Sequence, residues 1–243
     1  MKTKMWKMMI AAIVILPMTL SSCHDDFRFG INGVGEIEEQ TVTLEQFDGF
    51  VSTIPVDVYL TQGDHQEVVI AAQGNIIDNI ELEHVDGGIW TIRYHEPVQF
   101  AKPVKIYITM PTLTKAAIVG SGSVIGETDF TGLDQLELHI TGSGDMDLYT
   151  ESDELNTIIS GSGDIRLSGK TDKLKMVITG SGNFHGKDLQ TGEADLTISG
   201  SGSSRLSVSE FLQVLITGSG NVYYTGNPEV DLHVSGSGGV IHQ

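Results

Sequence analysis

The stretch Leu136-Glu-Leu-His-Ile-Thr-Gly-Ser-Gly-Asp-Met-Asp-Leu148 contains the unit that decides the fold. Its apolar residues fall on even positions on both sides of the Gly-Ser-Gly tripeptide, and polar residues fill the odd positions between them. This alternation is typical of a strand with one buried face. The parity continues through the tripeptide, so the serine faces outward and both glycines face inward. Inward glycines allow a tight corner or a close approach of neighbouring backbone.

The tripeptide occurs seven times at intervals of 18 to 22 residues, which indicates a repeat array. The same alternation surrounds the other copies, as at Leu174, Met176 and Ile178 before one tripeptide and Phe184 after it. No helical periodicity competes with it in this half of the chain. The seven copies are at 120–122, 142–144, 161–163, 180–182, 200–202, 218–220 and 236–238.

Two all-β architectures fit this pattern. In a parallel β-helix each repeat forms one coil, and equivalent residues stack into columns. In an antiparallel meander the tripeptide is a hairpin loop, and about fourteen strands would have to close into a barrel or propeller. Stacking explains why one tripeptide recurs in place, so we predict an elongated, right-handed parallel β-helix over residues 116–243. One interior column should then contain Ile140, Ile159, Ile178, Ile198, Ile216 and Val234.

Residues 33–115 are also rich in strand patterns but are less regular, and we predict that they form the irregular first part of the same body. Asp86-Gly87-Gly88 is a hairpin turn signal. Thr53-Ile54-Pro55 stands where a degenerate repeat would place Gly-Ser-Gly, and Trp90 is expected in the core. The predicted strands are 56–60, 68–72, 80–85, 89–94 and 104–109.

Three segments in this part resemble the head GIN domain family of auto-transporter adhesins, in the family's order. They are Val56-Asp-Val-Tyr-Leu-Thr-Gln-Gly63, Asp86-Gly-Gly-Ile-Trp-Thr-Ile92 and Val104-Lys-Ile-Tyr-Ile-Thr-Met-Pro111. The Gly-Ser-Gly-Asp/Asn repeats complete the pattern, which runs from about residue 33 to 240. The resemblance implies a β-helical, lipid-anchored envelope protein of Bacteroidetes-type bacteria, with an adhesin role and no catalytic residues.

The first 22 residues have the layout of a secretory signal peptide. Lys2, Lys4 and Lys7 precede an apolar run over 8–20 that is too short to span a bilayer of ~30 Å. Leu20-Ser-Ser-Cys23 follows and resembles a bacterial lipobox, in which the cysteine is diacylated on sulfur. We therefore expect lipidation at Cys23, with a free or buried thiol as the alternative. With one cysteine in the chain, no disulfide framework is possible.

Residues 23–32 are then a lipidated linker between the membrane and the β-rich body. His24-Asp25-Asp26 is either a solvated part of that linker or a signal for surface export, which it resembles in Bacteroidetes-type lipoproteins. We expect the protein in the cell envelope, anchored by lipid at the outer membrane, and surface exposure is left open.

The net charge of the chain is −18, and loss of three signal-peptide lysines would leave −21. Such a body repels nucleic acid and anionic lipid surfaces, so nucleic acid is excluded as a partner. The membrane reached through Cys23 and an extracellular glycan or protein ligand remain as expected partners. The oligomeric state is left open.

The column after the tripeptide holds turn-forming residues, which suggests local backbone hydrogen bonds. A weak calcium site between Asp145 and Asp164 is the alternative, although Ser and Gly interrupt the acidic pattern. The column reads Ser123, Asp145, Asp164, Asn183, Ser203, Asn221 and Gly239.

Signals of catalysis are poor, and we expect no enzyme, cofactor or metal site. No serine lies in a nucleophile elbow, and the histidines lack metal-ligand spacing. The alternative is a carbohydrate-active β-helix enzyme similar to polysaccharide lyases, which need a basic residue beside acidic groups. Arg166 and Arg205 fall two coils apart, without an evident acidic cluster. A non-catalytic surface binding or structural module is therefore predicted, and its ligand-binding residues are unknown.

Overall fold

The computed structural model describes residues 30–243, and most of them lie in β-strands. One short helix, α1 (Gly74–Ile77), accompanies the strands in this part of the chain. No helix between residues 30 and 243 is long and apolar enough to cross a membrane. The strands are β1 (Ile31–Asn32), β2 (Ile37–Val42), β3 (Gly49–Ser52), β4 (Val56–Gln62), β5 (Glu67–Gln73), β6 (Val85–Asp86), β7 (Ile89–Ile92), β8 (Val98–Phe100), β9 (Lys105–Met110), β10 (Lys115–Gly120), β11 (Gly122–Gly126), β12 (Phe130–Gly142), β13 (Asp145–Gly161), β14 (Ile165–Gly180), β15 (Phe184–Gly200), β16 (Ser204–Gly218), β17 (Asn221–Thr225), β18 (Glu229–Gly236) and β19 (Gly239–His242).

The repeat half is a parallel β-solenoid, which confirms the predicted β-helix and excludes the antiparallel meander. Each of the long strands β12 to β15 pairs with the next strand in parallel, and the body has about 7 turns. Each coil is one long, curved stretch of strand that bends at the tripeptide. Equivalent residues of successive coils are register partners, in the order Ile118, Ile140, Ile159, Ile178, Ile198, Ile216 and Val234.

The alternation read from the sequence produces the interior. Alternate positions along the long strands are buried, with a change of parity where the coil turns, as between Ser152 and Leu155, so the stacked apolar columns fill the inside of the coil. Ile140 through Ile216 of the predicted column are fully buried, as expected. Val234 differs from the prediction, because its side chain is 41% exposed. It lies in the last coil, and no further coil of the described residues covers it.

The two glycines of the tripeptide are required by backbone stacking at the corner. The first glycine has a positive φ, for example 135° at Gly161 and 123° at Gly180. A Cβ at Gly180 would lie 2.4 Å from the carbonyl oxygen of Gly161 in the preceding coil. A Cβ at the second glycine, Gly182, would lie 2.2 Å from the carbonyl oxygen of Gly163. The corner therefore has no room for any side chain at either position.

The N-terminal part joins the same stack, but out of sequence order. Strand β3 lies between β7 and β10, and β4 lies between β9 and β11, with all four pairings parallel. The coil formed by residues 49–62 is therefore inserted between residues 89–110 and the first Gly-Ser-Gly coil. The alternating burial of β4 and β9 continues the interior columns into this segment.

Antiparallel strands and the helix complete this end of the molecule. Strand β5 pairs antiparallel with both β2 and β9, and α1 buries Ile76 and Ile77. Trp90 is fully buried, as predicted, and its indole N–H donates to the carbonyl of Glu81 at 3.1 Å. The predicted hairpin at Gly87-Gly88 is confirmed by the antiparallel pairing of β6 with β7.

Two local predictions in this part are wrong, and one short helix was not predicted. Only Val85 of the predicted strand 80–85 belongs to a strand, and Ile80 makes a single bridge to Tyr94. Helix α1 had no signal, because four residues are too few to show a helical period. The register partner of Gly122 is Val56, so Ile54-Pro55-Val56 occupies the tripeptide position. The predicted Thr53-Ile54-Pro55 is one residue too early.

Candidate functional site

The corner of the solenoid displays two columns of hydroxyl groups, which we name the hydroxyl wall. One column is the serine of each tripeptide, and every member of it is exposed. The other column precedes the first glycine and is exposed except at half-buried Ser160. The tripeptide serines are Ser121, Ser143, Ser162, Ser181, Ser201, Ser219 and Ser237, and the second column is Thr141, Ser160, Thr179, Ser199, Thr217 and Ser235.

The wall is regular because parallel strands fix the spacing. Register partners such as Thr141, Ser160 and Thr179 belong to adjacent strands, which lie ~4.8 Å apart. Each hydroxyl both donates and accepts hydrogen bonds. The wall is therefore a flat array of neutral groups that suits polar, uncharged ligands. Its two columns contain no charged side chain that could act as an acid or a base.

Beside the wall, the column that begins at Ser123 forms a ladder of hydrogen bonds between coils. The backbone N–H of Asp164 donates to Asp145 Oδ1 at 3.0 Å, and that of Asn183 donates to Asp164 Oδ1 at 2.8 Å. Ser203 N–H donates to Asn183 Oδ1 at 3.1 Å, and the ladder ends with Gly239 N–H on Asn221 Oδ1 at 3.0 Å.

This ladder corrects the expectation of local turn chemistry. Each side chain bonds the backbone of the next coil rather than its own turn, and no non-glycine residue between 30 and 243 has a positive φ. One carboxylate oxygen of Asp145 and of Asp164 is therefore occupied by backbone. Within residues 30–243, no group of three His, Cys, Asp or Glu side chains could hold a metal ion.

Arg166 and Arg205, the candidates for a lyase-like base, lie in one outward column with His185 between them. Arg166 pairs with Asp147 at 3.4 Å, and His185 Nε2 lies 3.5 Å from an oxygen of Asp164. The Arg205 guanidinium lies 4.9 Å from the centroid of the Tyr223 ring. The column is open to solvent and does not enclose a cleft in which acids and bases would converge.

His139 lies on a different face from this column, beside Lys115 and Glu137. Burial, together with the charge of Lys115, lowers the pKa of His139 below its ordinary value. Its ring is therefore neutral at neutral pH.

In strand β13, the Tyr149 hydroxyl donates to Glu151 at 2.9 Å, and this hydrogen bond raises the pKa of Tyr149. His139 Nε2 also lies 3.9 Å from an oxygen of Glu137, so each of the two groups stands beside one carboxylate.

Cys23, the predicted lipidation site, lies outside the described residues, so its acylation stays a prediction. Trp90 forms no ligand platform, since its ring is buried against Phe47 with centroids 5.6 Å apart.

The sequence pattern predicted the repeated tripeptide, but the hydroxyl column before it was not singled out. The signal was present in the Thr or Ser that precedes each Gly-Ser-Gly from residue 141 onward.

Residues 46–228 match the family described as "Putative auto-transporter adhesin, head GIN domain". The chain belongs to this family. The match begins just before β3 and ends just before β18, so the head GIN family region includes both the inserted first coil and most of the repeat coils.

Solved structures share the fold of this head GIN family chain. A putative adhesin from Bacteroides fragilis is 23% identical with a TM-score of 0.81, covering 88% of this chain and 100% of its own. A putative lipid binding protein from Parabacteroides distasonis is 24% identical with a TM-score of 0.71, covering 88% and 99%. A putative adhesin from Parabacteroides merdae is 18% identical with a TM-score of 0.66, covering 88% and 98%. The comparison with curated proteins gave no match.

Proposed function

We propose that this head GIN family chain is a non-catalytic, adhesin-like binding module of the cell envelope, anchored at Cys23. The hydroxyl wall is the observation that carries this proposal. It presents neutral hydrogen-bonding groups in register over successive coils, a surface that suits adhesion better than bond cleavage. The family description and the solved adhesins of the same fold support the assignment.

The proposed placement follows from the order of the chain. A diacylated Cys23 would hold the protein at the outer membrane, because two acyl chains give stable anchoring. The first strand begins at Ile31 and the first solenoid coil at Gly49, so a short linker would connect the anchor to a body that projects from the membrane surface. The ligand would be an extracellular glycan or protein without strong negative charge, since the body itself is acidic.

One preparation assayed in two ways tests this function. The full chain, purified in detergent, is incubated with an array of immobilised glycans and with the same glycans in solution. We expect binding to at least one glycan, without new reducing ends or unsaturated products after long incubation. Shortened or unsaturated products would contradict the non-catalytic role and would favour the lyase-like alternative. A heat-unfolded sample provides the control for non-specific retention.

A further inference from the structure

The last coil of the solenoid, formed by β18 and β19, has a neighbouring coil on one side only. Strand β18 pairs with β16, and β19 pairs with β17. Within residues 30–243, no strand pairs with the opposite side of β18 or β19. We name this free side of the two strands the C-terminal edge. Its backbone N–H and C=O groups form a row that another strand can pair with.

The interior columns of the solenoid end uncovered at the C-terminal edge. Val214 and Ile216 are buried, whereas their register partners Leu232 and Val234 are 47% and 41% exposed. On β19, the interior position Val240 is half-buried. The C-terminal edge therefore combines open backbone groups with an apolar strip of the same composition as the core. Removing such a strip from water is favourable.

The opposite end of the solenoid is closed by strands of the N-terminal part. Strand β9 has β4 on one side and antiparallel β5 on the other. Strand β7 has β3 on one side and antiparallel β6 on the other. A partner that covers both strands of the C-terminal edge must have the cross-section of a coil. Among the surfaces of residues 30–243, the open surface with that cross-section is the C-terminal edge of another copy.

The sequence of β18 is complementary to itself in an antiparallel arrangement. Inward side chains must lie opposite inward side chains, and a two-fold axis at Leu232 satisfies this over the whole strand. Val230 then lies opposite Val234, and Asp231 lies opposite His233. The symmetry forms each of these pairs twice. Apolar pairs and pairs of a carboxylate with a donor stabilise antiparallel strands.

Asp231 and His233 are available for such a contact. Both are exposed, and within residues 30–243 neither forms an ion pair within 4.0 Å. A histidine ring offers an N–H donor to a carboxylate whether it is neutral or protonated. The contact therefore does not need a charged imidazole.

We propose that the C-terminal edge pairs with the C-terminal edge of a second copy of this chain, with the two β18 strands antiparallel around Leu232. A contact of this kind uses the same surface of both copies, so the assembly closes as a dimer and does not extend into a filament. The pairing goes beyond the proposed function and is independent of it, because it uses neither the hydroxyl wall nor Cys23.

The net charge of −18 opposes the approach of two copies. Charges more than ~8 Å apart are largely screened at physiological ionic strength. The paired side chains at the C-terminal edge are much closer than this distance, so short-range contacts decide the association. The test is therefore made at physiological salt.

Disulfide trapping tests the position of the two-fold axis. In a full chain that also carries Cys23→Ala, Leu232→Cys places one cysteine at the axis. Opposite Cα atoms of antiparallel strands lie about 4.5–5.5 Å apart, within the range that a disulfide spans. Mild oxidation of the dilute protein should therefore produce a covalent dimer. Leu215→Cys is the matched control, because Leu215 is 39% exposed but lies one coil away from the C-terminal edge, and it should not cross-link.

Sedimentation of the full chain in detergent measures the association without a covalent bond. We expect an equilibrium between monomer and dimer. Leu232→Lys, which places a charge on the free edge, should abolish the dimer. His233→Asp sets like charges opposite each other and should weaken the dimer by roughly tenfold, and the exchange Asp231→His with His233→Asp should restore it. All three positions are exposed in the single copy, so each variant should unfold at the wild-type temperature.

The outcomes separate the edge, the register and the closure of the assembly. A monomer at every concentration, with no trapping of Leu232→Cys, would overturn the pairing. Dimers that survive Leu232→Lys would overturn the C-terminal edge as the interface. Dimers that Leu232→Lys abolishes, but that His233→Asp leaves unchanged and Leu232→Cys does not trap, would overturn the register. A series of larger assemblies would overturn the closed dimer. Each of these results leaves the proposed binding function unchanged, since glycan binding is measured separately.

Discussion

Replacing Gly180 by valine is expected to lower the free energy of unfolding by about 3 kcal/mol or more. A side chain at a φ of 123° is strained by about 1–3 kcal/mol. Overpacking against the Gly161 carbonyl adds about 1–3 kcal/mol. That carbonyl accepts the N–H groups of Ser181 at 2.8 Å and Gly182 at 3.1 Å, so moving it away also breaks corner hydrogen bonds.

The measurement is urea unfolding followed by circular dichroism, with Gly180→Ala as the smaller variant of the same position. Ser181→Ala is the matched control, because it removes one exposed hydroxyl and should change stability by no more than ~0.5 kcal/mol. Equal losses for Gly180→Val and Ser181→Ala would show that the two positions do not differ in packing. The stacked corner would then be wrong.

Changing Cys23 to alanine should abolish lipidation and release or mislocalise the protein. The predicted anchor is a diacylated cysteine, and the chain has no second cysteine to replace it. Within residues 30–243, no helix is long and apolar enough to cross the bilayer. Loss of both acyl chains therefore removes the proposed source of stable membrane binding.

Metabolic labelling with a fatty acid and fractionation of the cells measure this effect. Wild-type protein should carry the label and sediment with the outer membrane, whereas the Cys23→Ala protein should be unlabelled and released. Ser22→Ala keeps a small residue before the cysteine and should be labelled normally. A label that persists in Cys23→Ala would disprove lipidation at this residue.

The repeat half was predictable because its information is local. Alternation around each tripeptide specifies the buried face, and a spacing of 18 to 22 residues specifies the coil. Once the repeats are parallel, the column from Ile140 to Ile216 follows directly. The burial of the last column member was not predictable in this way, because the exposure of Val234 depends on what lies above the last coil.

The N-terminal part was less predictable because its strand order depends on long-range pairing. Residues 49–62 occupy a coil between two segments that come later in the chain, and no periodicity encodes that insertion.

Every surface feature described above depends on parallel stacking, in which equivalent residues of successive repeats lie side by side. Disulfide formation between introduced cysteines tests this directly, in a chain that also carries Cys23→Ala. Val177 and Thr197 are outward register partners. Their Cα atoms should be ~4.8 Å apart, within the range that a disulfide spans. Val177 and His185 are the matched control pair, because an antiparallel hairpin at the tripeptide would place them opposite each other. We predict efficient bridging of 177 with 197 and none of 177 with 185, whereas the reverse result would contradict the β-helix and the surfaces derived from it.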